Sequence, residues 1–191
     1  METKNFTFVR NNIECKGIGD FFSTEDFKMI QKTYFSWKDL NKTYKLYNCR
    51  RANFPEMVSE GLPCLVFNWV RTNATHIKGI TSSSCDAIDL KTGKLIQIKS
   101  CSSDKDTNIG PTSFGPRSQF DKLIFIHCDC DKDIVYFYDL SDIDYTQIMV
   151  NKTETLYDQQ QAGKRPRFNV FSKIIQPFKL KPFYKTQFVK E

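Results

Sequence analysis

The hydrophobic pattern changes its period at about residue 84, and no other feature restricts the fold of this 191-residue chain as much. Before that point apolar residues recur at helical spacing, whereas beyond it they alternate with polar residues in short runs. Residues 85–90 and 94–101 flank a Gly-containing turn at 91–93, a pattern that predicts a β-hairpin. Helices on the flanks and a run of strands between them predict a mixed α/β domain.

Two helices are predicted before the hairpin. The first begins near Ser23 and Thr24, and its apolar residues fall on one face: Phe27, Ile30, Tyr34 and Trp37. The second has Asn53 as its N-cap and extends to about Arg71. Because proline lacks a backbone N–H, Pro63 is expected to kink this second helix or to divide it in two.

Beyond the hairpin the sequence predicts loops and short elements. A loop rich in Ser, Asp, Gly and Pro spans residues 102–116, and two apolar strands follow at 123–128 and 134–140. A helix is expected at 141–150 and a last strand at 168–175. Since no linker-like composition or internal repeat divides the chain, the whole chain is expected to form one domain.

The composition argues against several classes of protein. Hydrophobic residues make up 40% of the chain and charged residues 26%, which argues against disorder. No segment approaches the roughly 18 consecutive apolar residues of a membrane span, and the N-terminus lacks the apolar block of a secretory signal. We therefore expect a cytoplasmic protein without a membrane partner, whose seven scattered cysteines are reduced thiols.

The net charge of +6 is distributed unevenly along the chain. Residues 1–158 contain 20 basic and 21 acidic residues, whereas residues 159–191 contain eight basic residues and one acid. Such asymmetry indicates a polyanion as the partner. A solvated basic tail gives the same pattern, and the charge alone does not separate the two interpretations.

The predicted hairpin brings an acid, an amide and a lysine side by side. Asp86 begins its first strand, and Gln97 and Lys99 lie in the second. An acid and an amide oxygen suit a hard divalent cation, and a lysine can orient water and offset charge on a phosphorane. The same residues also have ordinary explanations, a turn cap for Asp86 and a solvated strand lysine for Lys99. Asp89, nearer the turn, is the rival acid.

This pattern resembles the PD-(D/E)xK nuclease core, and three further segments resemble small type II restriction endonucleases, most closely of the Bsp6I type. Residues 53–60 are similar to the N-φ-P-E-x-φ-S-E helix that precedes the catalytic hairpin there. Residues 112–123 resemble the S-F-G-P-x-S-x-W-D-x-L segment, and residues 165–168 the R-P-R-F segment. The resemblance covers roughly residues 50–175 in family order. It implies a restriction-endonuclease-like fold, in which helices flank a central mixed β-sheet.

The resemblance also implies a metal-dependent active site. Asp86 would be the metal-binding acid, Gln97 would fill the (D/E) position and bind the metal through its amide oxygen, Ile98 would offer its backbone carbonyl to the metal, and Lys99 would be the catalytic lysine. Glu60 would be the additional acid and a further metal ligand. The implied cofactor is Mg²⁺, as one or two ions, and the products carry 5′-phosphate and 3′-hydroxyl ends. Because Gln97 replaces an acid and removes a negative charge, a single ion is the preferred expectation.

Double-stranded DNA is the implied partner, at a short GC-rich palindrome of the form GC-any base-GC. Base-edge contacts are expected from polar residues after the catalytic strand: Asn108, Ser113, Arg117 and Ser118. Phosphate contacts are expected from five basic residues: Arg50, Arg51, Lys164, Arg165 and Arg167. A palindromic site calls for a homodimer, and a restriction system calls for a cognate DNA methyltransferase in a prokaryotic cytoplasm.

Two other functions are compatible with the same residues. A non-catalytic DNA-binding protein with a degraded nuclease site would explain Gln97, and a structure-selective repair or junction nuclease would share the fold. Glu56, one turn from Glu60, is a weaker candidate for the additional acid because it also suits a helix N-terminus. No recognised motif indicates a role for the Lys- and aromatic-rich residues 178–191.

Overall fold

A computed structural model of the protein describes residues 1–78, 85–105, 109–115 and 120–190. Within these ranges the chain has a mixed α/β fold, with one sheet of nine strands and one of two. The strands are β1 (Glu2–Arg10), β2 (Ile13–Phe21), β3 (Val70–Arg71), β4 (Ile77–Lys78), β5 (Ala87–Asp89), β6 (Lys94–Ser103), β7 (Thr112–Ser113), β8 (Lys122–Asp129), β9 (Ile134–Asp139), β10 (Arg167–Phe168) and β11 (Tyr184–Gln187). The α-helices are α1 (Asp26–Leu46), α2 (Leu62–Phe67) and α3 (Leu156–Gln161). No helix in this part of the chain has the length and apolar character needed to cross a membrane.

The large sheet has the strand order β1-β2-β3-β5-β6-β8-β9-β11, and β4 pairs with β2. In the described ranges its neighbouring strands are antiparallel except for β6 and β8, which run parallel with Gln97 beside Leu123. The small sheet consists of β7 and β10, which are also antiparallel. Two of the catalytic candidates of the sequence, Gln97 and Lys99, therefore lie on a strand in the middle of the large sheet.

Strand β8 lies at the centre of the core because both of its faces are apolar. Leu123, Ile124, Phe125 and Ile126 are fully buried. Ile124 and Ile126 pack in the same cluster as the apolar face of α1, whereas Leu123 and Phe125 pack with residues of the small sheet. A strand that is covered on both faces has a continuous apolar run. This packing holds the neighbouring strand β6 in a fixed position.

The structure confirms the predicted hairpin, the first helix and the two apolar strands. β5 and β6 pair antiparallel, with Ala87 opposite Ile96. α1 buries Ile30, Tyr34 and Trp37, three of the four residues predicted on its apolar face. The predicted strands at 123–128 and 134–140 correspond to β8 and β9.

Pro63 divides the second helix, as expected. A π-helical turn, Met57–Gly61, leads directly into α2, and Pro63 lies in the first turn of α2, where a missing N–H is tolerated. The expected N-cap was wrong, because Glu56 and not Asn53 directly precedes the helical turn. The helix also ends earlier than expected, because Asn68 adopts the left-handed conformation (φ 56°) and the chain continues as β3.

The helix predicted at 141–150 is wrong. The described chain contains only the short 3₁₀ turn Tyr145–Gln147 in this segment. The Ser141 N–H is bonded to the side chain of Asp139 (3.0 Å), and the side chain of Asp144 accepts the N–H at the start of the 3₁₀ turn. Local hydrogen bonds from short acidic side chains compete with helix formation, which explains the difference.

The strand predicted at 168–175 is also wrong beyond its first residue. β10 ends at Phe168, and a π-helical turn, Phe171–Ile175, follows it. The Asn169 side chain accepts the N–H of Ser172 (3.0 Å), a local contact that favours a turn over a strand. The apolar residues of this turn therefore reach the core without joining a sheet.

The sequence interpretation missed the long hairpin formed by β1 and β2, as well as α3 and β11. Asn11 and Asn12 form the hairpin turn with φ of 50° and 62°, the left-handed values of a two-residue type I′ turn. Phe6, Phe8 and Cys15 face a third apolar cluster. The N-terminal segment is therefore part of the large sheet.

Candidate active site

The β5–β6 hairpin places Asp86, Gln97 and Lys99 together. The N–H of Asp86 donates to the carbonyl of Ile96 (2.9 Å), which brings its side chain beside the middle of β6. One carboxylate oxygen, Oδ2, accepts the backbone N–H of Ile98 (2.7 Å) and the side-chain N–H of Gln97. Gln97 and Lys99 are two residues apart and so point to the same face of β6.

Glu60 reaches the same place from the π-helical turn before α2. A cleft of about 340 Å³ is lined by Glu56, Glu60 and Asp86, together with residues of β2 and β3. Gln97 is only 4% exposed and lies beneath the Asp86 carboxylate. The charge of Lys99 acts on both Glu60 and Asp86. The structure thus brings all four expected side chains to one region.

Burial disfavours the charged forms of Glu60, Asp86 and Lys99. Burial, together with the nearby charge of Asp86, raises the pKa of Glu60 to about 7. Burial also raises the pKa of Asp86, against the opposing effects of the Ile98 N–H and the charge of Lys99. Burial lowers the pKa of Lys99, and the positive charge of Arg165 lowers it further, while Asp86 opposes the shift. Two acids in one cleft whose pKa values are raised, with a lysine whose charge acts on both, are typical of a functional site.

The oxygen atoms present fit one hard divalent cation. Two carboxylates, those of Glu60 and Asp86, line the cleft, and Mg²⁺ is commonly held by one or two carboxylates and several waters. Gln97 turns its amide N–H, not its oxygen, towards Asp86, so it holds the acid in place. The same amide makes a longer hydrogen bond to the carbonyl of Ile98 (3.4 Å). Across the described ranges, no three His, Cys, Asp or Glu side chains form a metal-binding group.

Two of the motifs singled out in the sequence meet in the small sheet. Ser113 of β7 pairs with Arg167 of β10. Arg165 and Arg167 are exposed, and the positive charge of Arg165 contributes to the lowered pKa of Lys99. The small sheet therefore carries one exposed arginine, and a second lies two residues before β10.

The other candidates for DNA contact differ in their placement. Arg50 is exposed. Lys164 is also exposed, and its ammonium group is paired with Glu154 (2.6 Å). Three of the expected base-contacting residues lie outside the described ranges: Asn108, Arg117 and Ser118.

Arg51 has internal partners that the sequence did not indicate. Its guanidinium carbon lies over the ring of Trp37 (4.9 Å to the centroid), and its Nη1 lies 3.3 Å from Asp104 Oδ2. Its Nη2 contacts the sulfur of Cys130 (3.9 Å). These contacts hold the Arg51 side chain, 26% of which stays exposed, and its expected phosphate contact stays a prediction.

The sequence interpretation missed two charged residues of the cleft, Asp20 on β2 and Arg71 on β3. They lie opposite each other in the strand register, with Arg71 Nε 3.2 Å from Asp20 Oδ2. Asn11 and Asn12, placed between two alternating runs, were a usable signal for the hairpin that carries Asp20. No local signal indicated that Arg71 would leave the second helix and pair with that hairpin.

The sequence of the chain is similar to that of known proteins. A family model described as Bsp6I restriction endonuclease matches residues 22–177. A curated relative from Bacillus sp. (strain RFL6), named "Type II restriction enzyme Bsp6I", is 37% identical over 164 residues, which cover 84% of this chain and 87% of the relative. No solved structure gives a significant match.

Proposed function

Because the chain belongs to the Bsp6I restriction endonuclease family, we propose that it hydrolyses double-stranded DNA with Mg²⁺ at a short GC-rich palindrome of the form GC-any base-GC. The observation that carries this proposal is the shared cleft of Glu60 and Asp86, with Lys99 close enough for its charge to act on both. Arg165 and Arg167 are exposed, and the positive charge of Arg165 acts on Lys99. Acids, a lysine and a basic surface suit an anionic phosphodiester substrate.

In this proposal Glu60 and Asp86 hold one Mg²⁺, with the carbonyl of Ile98 as a third protein ligand. When bound, Mg²⁺ polarises the phosphoryl group and lowers the pKa of a coordinated water. Lys99 orients the attacking water and offsets the negative charge that develops on the phosphorane. Gln97 keeps Asp86 in position through its amide N–H. The attacking water forms a bond to phosphorus and gives up a proton, and the P–O3′ bond breaks. The leaving O3′ takes up a proton, so the products carry 5′-phosphate and 3′-hydroxyl ends.

DNA is held by contacts of two kinds in this proposal. Arg50, Arg51, Arg165 and Arg167 bind phosphates, and Lys164 adds to the positive field of these arginines. Base edges are read by Ser113 and by the loop residues expected from the sequence: Asn108, Arg117 and Ser118.

A palindromic site is matched by a homodimer, and a cognate methyltransferase protects the host DNA. Because strands from both ends of the chain belong to the large sheet, we also propose that the whole chain is one domain.

Digestion of sequenced bacteriophage DNA tests the proposed function. With Mg²⁺, the protein should give discrete fragments whose mapped ends share one GC-rich palindrome. EDTA should abolish the fragments, and Lys99→Ala should abolish them in a folded protein. Lys94→Ala is the matched control, because Lys94 is an exposed lysine at the start of the same strand. It should cut at the wild-type rate.

Other outcomes identify the alternatives. Tight DNA binding that needs no metal and gives no cleavage would show a DNA-binding protein with a degraded site. Nicking of branched DNA without sequence preference would show a structure-selective nuclease. DNA that stays intact at every salt and metal concentration tested would contradict the proposal.

A further inference from the structure

The N-terminal hairpin of β1 and β2 precedes the range that the family model matches. It nevertheless contacts the β5–β6 hairpin, which carries Gln97 and Lys99. At its tip, Arg10 forms an ion pair with Asp121 and donates a hydrogen bond to the carbonyl of Gly93 (3.2 Å). Gly93, in the turn between β5 and β6, has φ of +69°, and a Cβ there would lie 2.1 Å from the carbonyl oxygen of Val9. The two hairpins are therefore in close backbone contact at this end.

At the other end of the hairpin, Asp20 contributes to the cleft wall. Its Oδ1 accepts the hydroxyl of Thr3 (2.6 Å), and its Oδ2 lies 3.2 Å from Nε of Arg71. Both side chains are largely buried, with 17% of Asp20 and 26% of Arg71 exposed. Asp20 therefore pairs with the guanidinium of Arg71 through Nε, the nitrogen nearest the side-chain stem. The two outer nitrogens, Nη1 and Nη2, have no hydrogen-bond acceptor among the residues that the structure describes.

The surroundings of Arg71 are strongly acidic. Of the described residues that line the cleft, Arg71 is the one with a permanent positive charge, and the acids are Asp20, Glu56, Glu60 and Asp86. The charge of Arg71 lowers the pKa of Glu60 against the larger effect of burial. A pair of guanidinium N–H groups matches two oxygens of a phosphate, which a lysine cannot do.

We propose that Arg71 binds a backbone phosphate of the DNA in this cleft, and that Asp20 is the positioning residue that holds its guanidinium for that contact. The inference rests on the proposed function, since it deepens the same site. It makes the N-terminal hairpin part of the substrate-binding surface. The competing explanation is that Arg71 only offsets the surrounding acids in the folded protein.

The salt dependence of DNA binding separates the two explanations. A duplex spanning a mapped cut site, or a bacteriophage fragment if no cut is found, is titrated in EDTA over a range of NaCl concentrations. For Arg71→Gln the slope of log K against log [NaCl] should fall by about 0.9 per protomer, the value for one lost phosphate contact. Lys28→Gln, which removes an exposed charge from α1, should keep the wild-type slope. Melting curves establish that each variant is folded.

Two further variants test the geometry of the contact. Arg71→Lys should keep the wild-type slope of log K against log [NaCl], because the positive charge is kept. It should cut DNA at least about tenfold more slowly, because lysine lacks the paired N–H groups of the guanidinium. Asp20→Asn should keep the slope and raise KM more than it lowers kcat. If a folded Arg71→Gln protein has the wild-type slope, or Arg71→Lys the wild-type rate, the inference is wrong. If the wild type binds but never cuts, the proposed function fails while the slope of Arg71→Gln still decides this inference.

Discussion

Glu60 and Glu154 carry the same side chain in opposite surroundings. Glu154 lies at the surface with 30% of its side chain exposed, and hydrogen bonds from Lys164 (2.6 Å), Asn151 and Gln159 lower its pKa to about 2. Glu60 is largely buried beside Asp86, and its pKa is raised to about 7. Neighbouring side chains therefore stabilise the charged form of Glu154, whereas burial in the cleft disfavours the charged form of Glu60. Such a charge is available to a cation and a substrate.

The largest difference between the two regions should appear with Glu60→Gln. DNA cleavage should fall by about two orders of magnitude or more, the usual effect of removing one electrostatic group from an active site. At pH 8 without metal, the variant should also be more stable than the wild type by about 1–3 kcal/mol, because a buried charge is removed. Cleavage assays and urea unfolding measure the two effects.

The stability gain should depend on pH in a defined direction. Because burial raises the pKa of Glu60 in the folded protein from 4.5 to about 7, the folded state binds the proton more tightly than the unfolded state. The cost of ionising Glu60 is therefore absent below pH 4.5, grows between 4.5 and 7, and is complete above 7. Glu56→Gln, one turn away and exposed, is the control and should change both properties less. A Glu60→Gln protein less stable than wild type at pH 8 would contradict the comparison.

The metal requirement should show an intermediate effect. A proton at Glu60 competes with the cation, so the Mg²⁺ concentration for half-maximal cleavage should rise about tenfold per pH unit below pH 7 and level off above it. Cleavage rates over a Mg²⁺ series at several pH values measure this. A requirement that does not change between pH 6 and 8 would exclude Glu60 as a ligand with a raised pKa.

The smallest effect should come from Glu154→Gln. Exposed ion pairs contribute little to stability, so the melting temperature should change less than with Glu60→Gln. Lys164 would lose its partner and gain freedom to meet phosphate, so DNA binding should be unchanged or slightly tighter at low salt. Weaker DNA binding would show that Glu154 positions the basic residues Lys164, Arg165 and Arg167 for DNA. Glu154 would then have a role in function, as Glu60 does, and the two residues would no longer differ in this respect.

The residues alone predicted only the part of the site that neighbours in sequence form, whereas Glu60 was expected only from the family resemblance. Asp86, Gln97 and Lys99 meet because one hairpin joins them, and the turn at Gly93 marks that hairpin in the sequence. The pairing of Asp20 with Arg71 depends instead on the register of two strands far apart in the chain.

The two wrong secondary-structure predictions have the same physical origin. The wrong elements at 141–150 and 168–175 arose where short polar side chains bond their own backbone. Local hydrogen bonds and tertiary packing there override the hydrophobic period.

We propose that Glu60 and Asp86, whose charged forms are disfavoured by burial, bind the catalytic cation. The most direct test is a crystal of the protein with a DNA duplex and Mn²⁺, with the ion located by anomalous scattering. The account predicts a peak in contact with the carboxylates of Glu60 and Asp86 and with the carbonyl of Ile98, and no peak in a Glu60→Gln, Asp86→Asn double variant. A peak away from both carboxylates, or one that persists in the double variant, would contradict it.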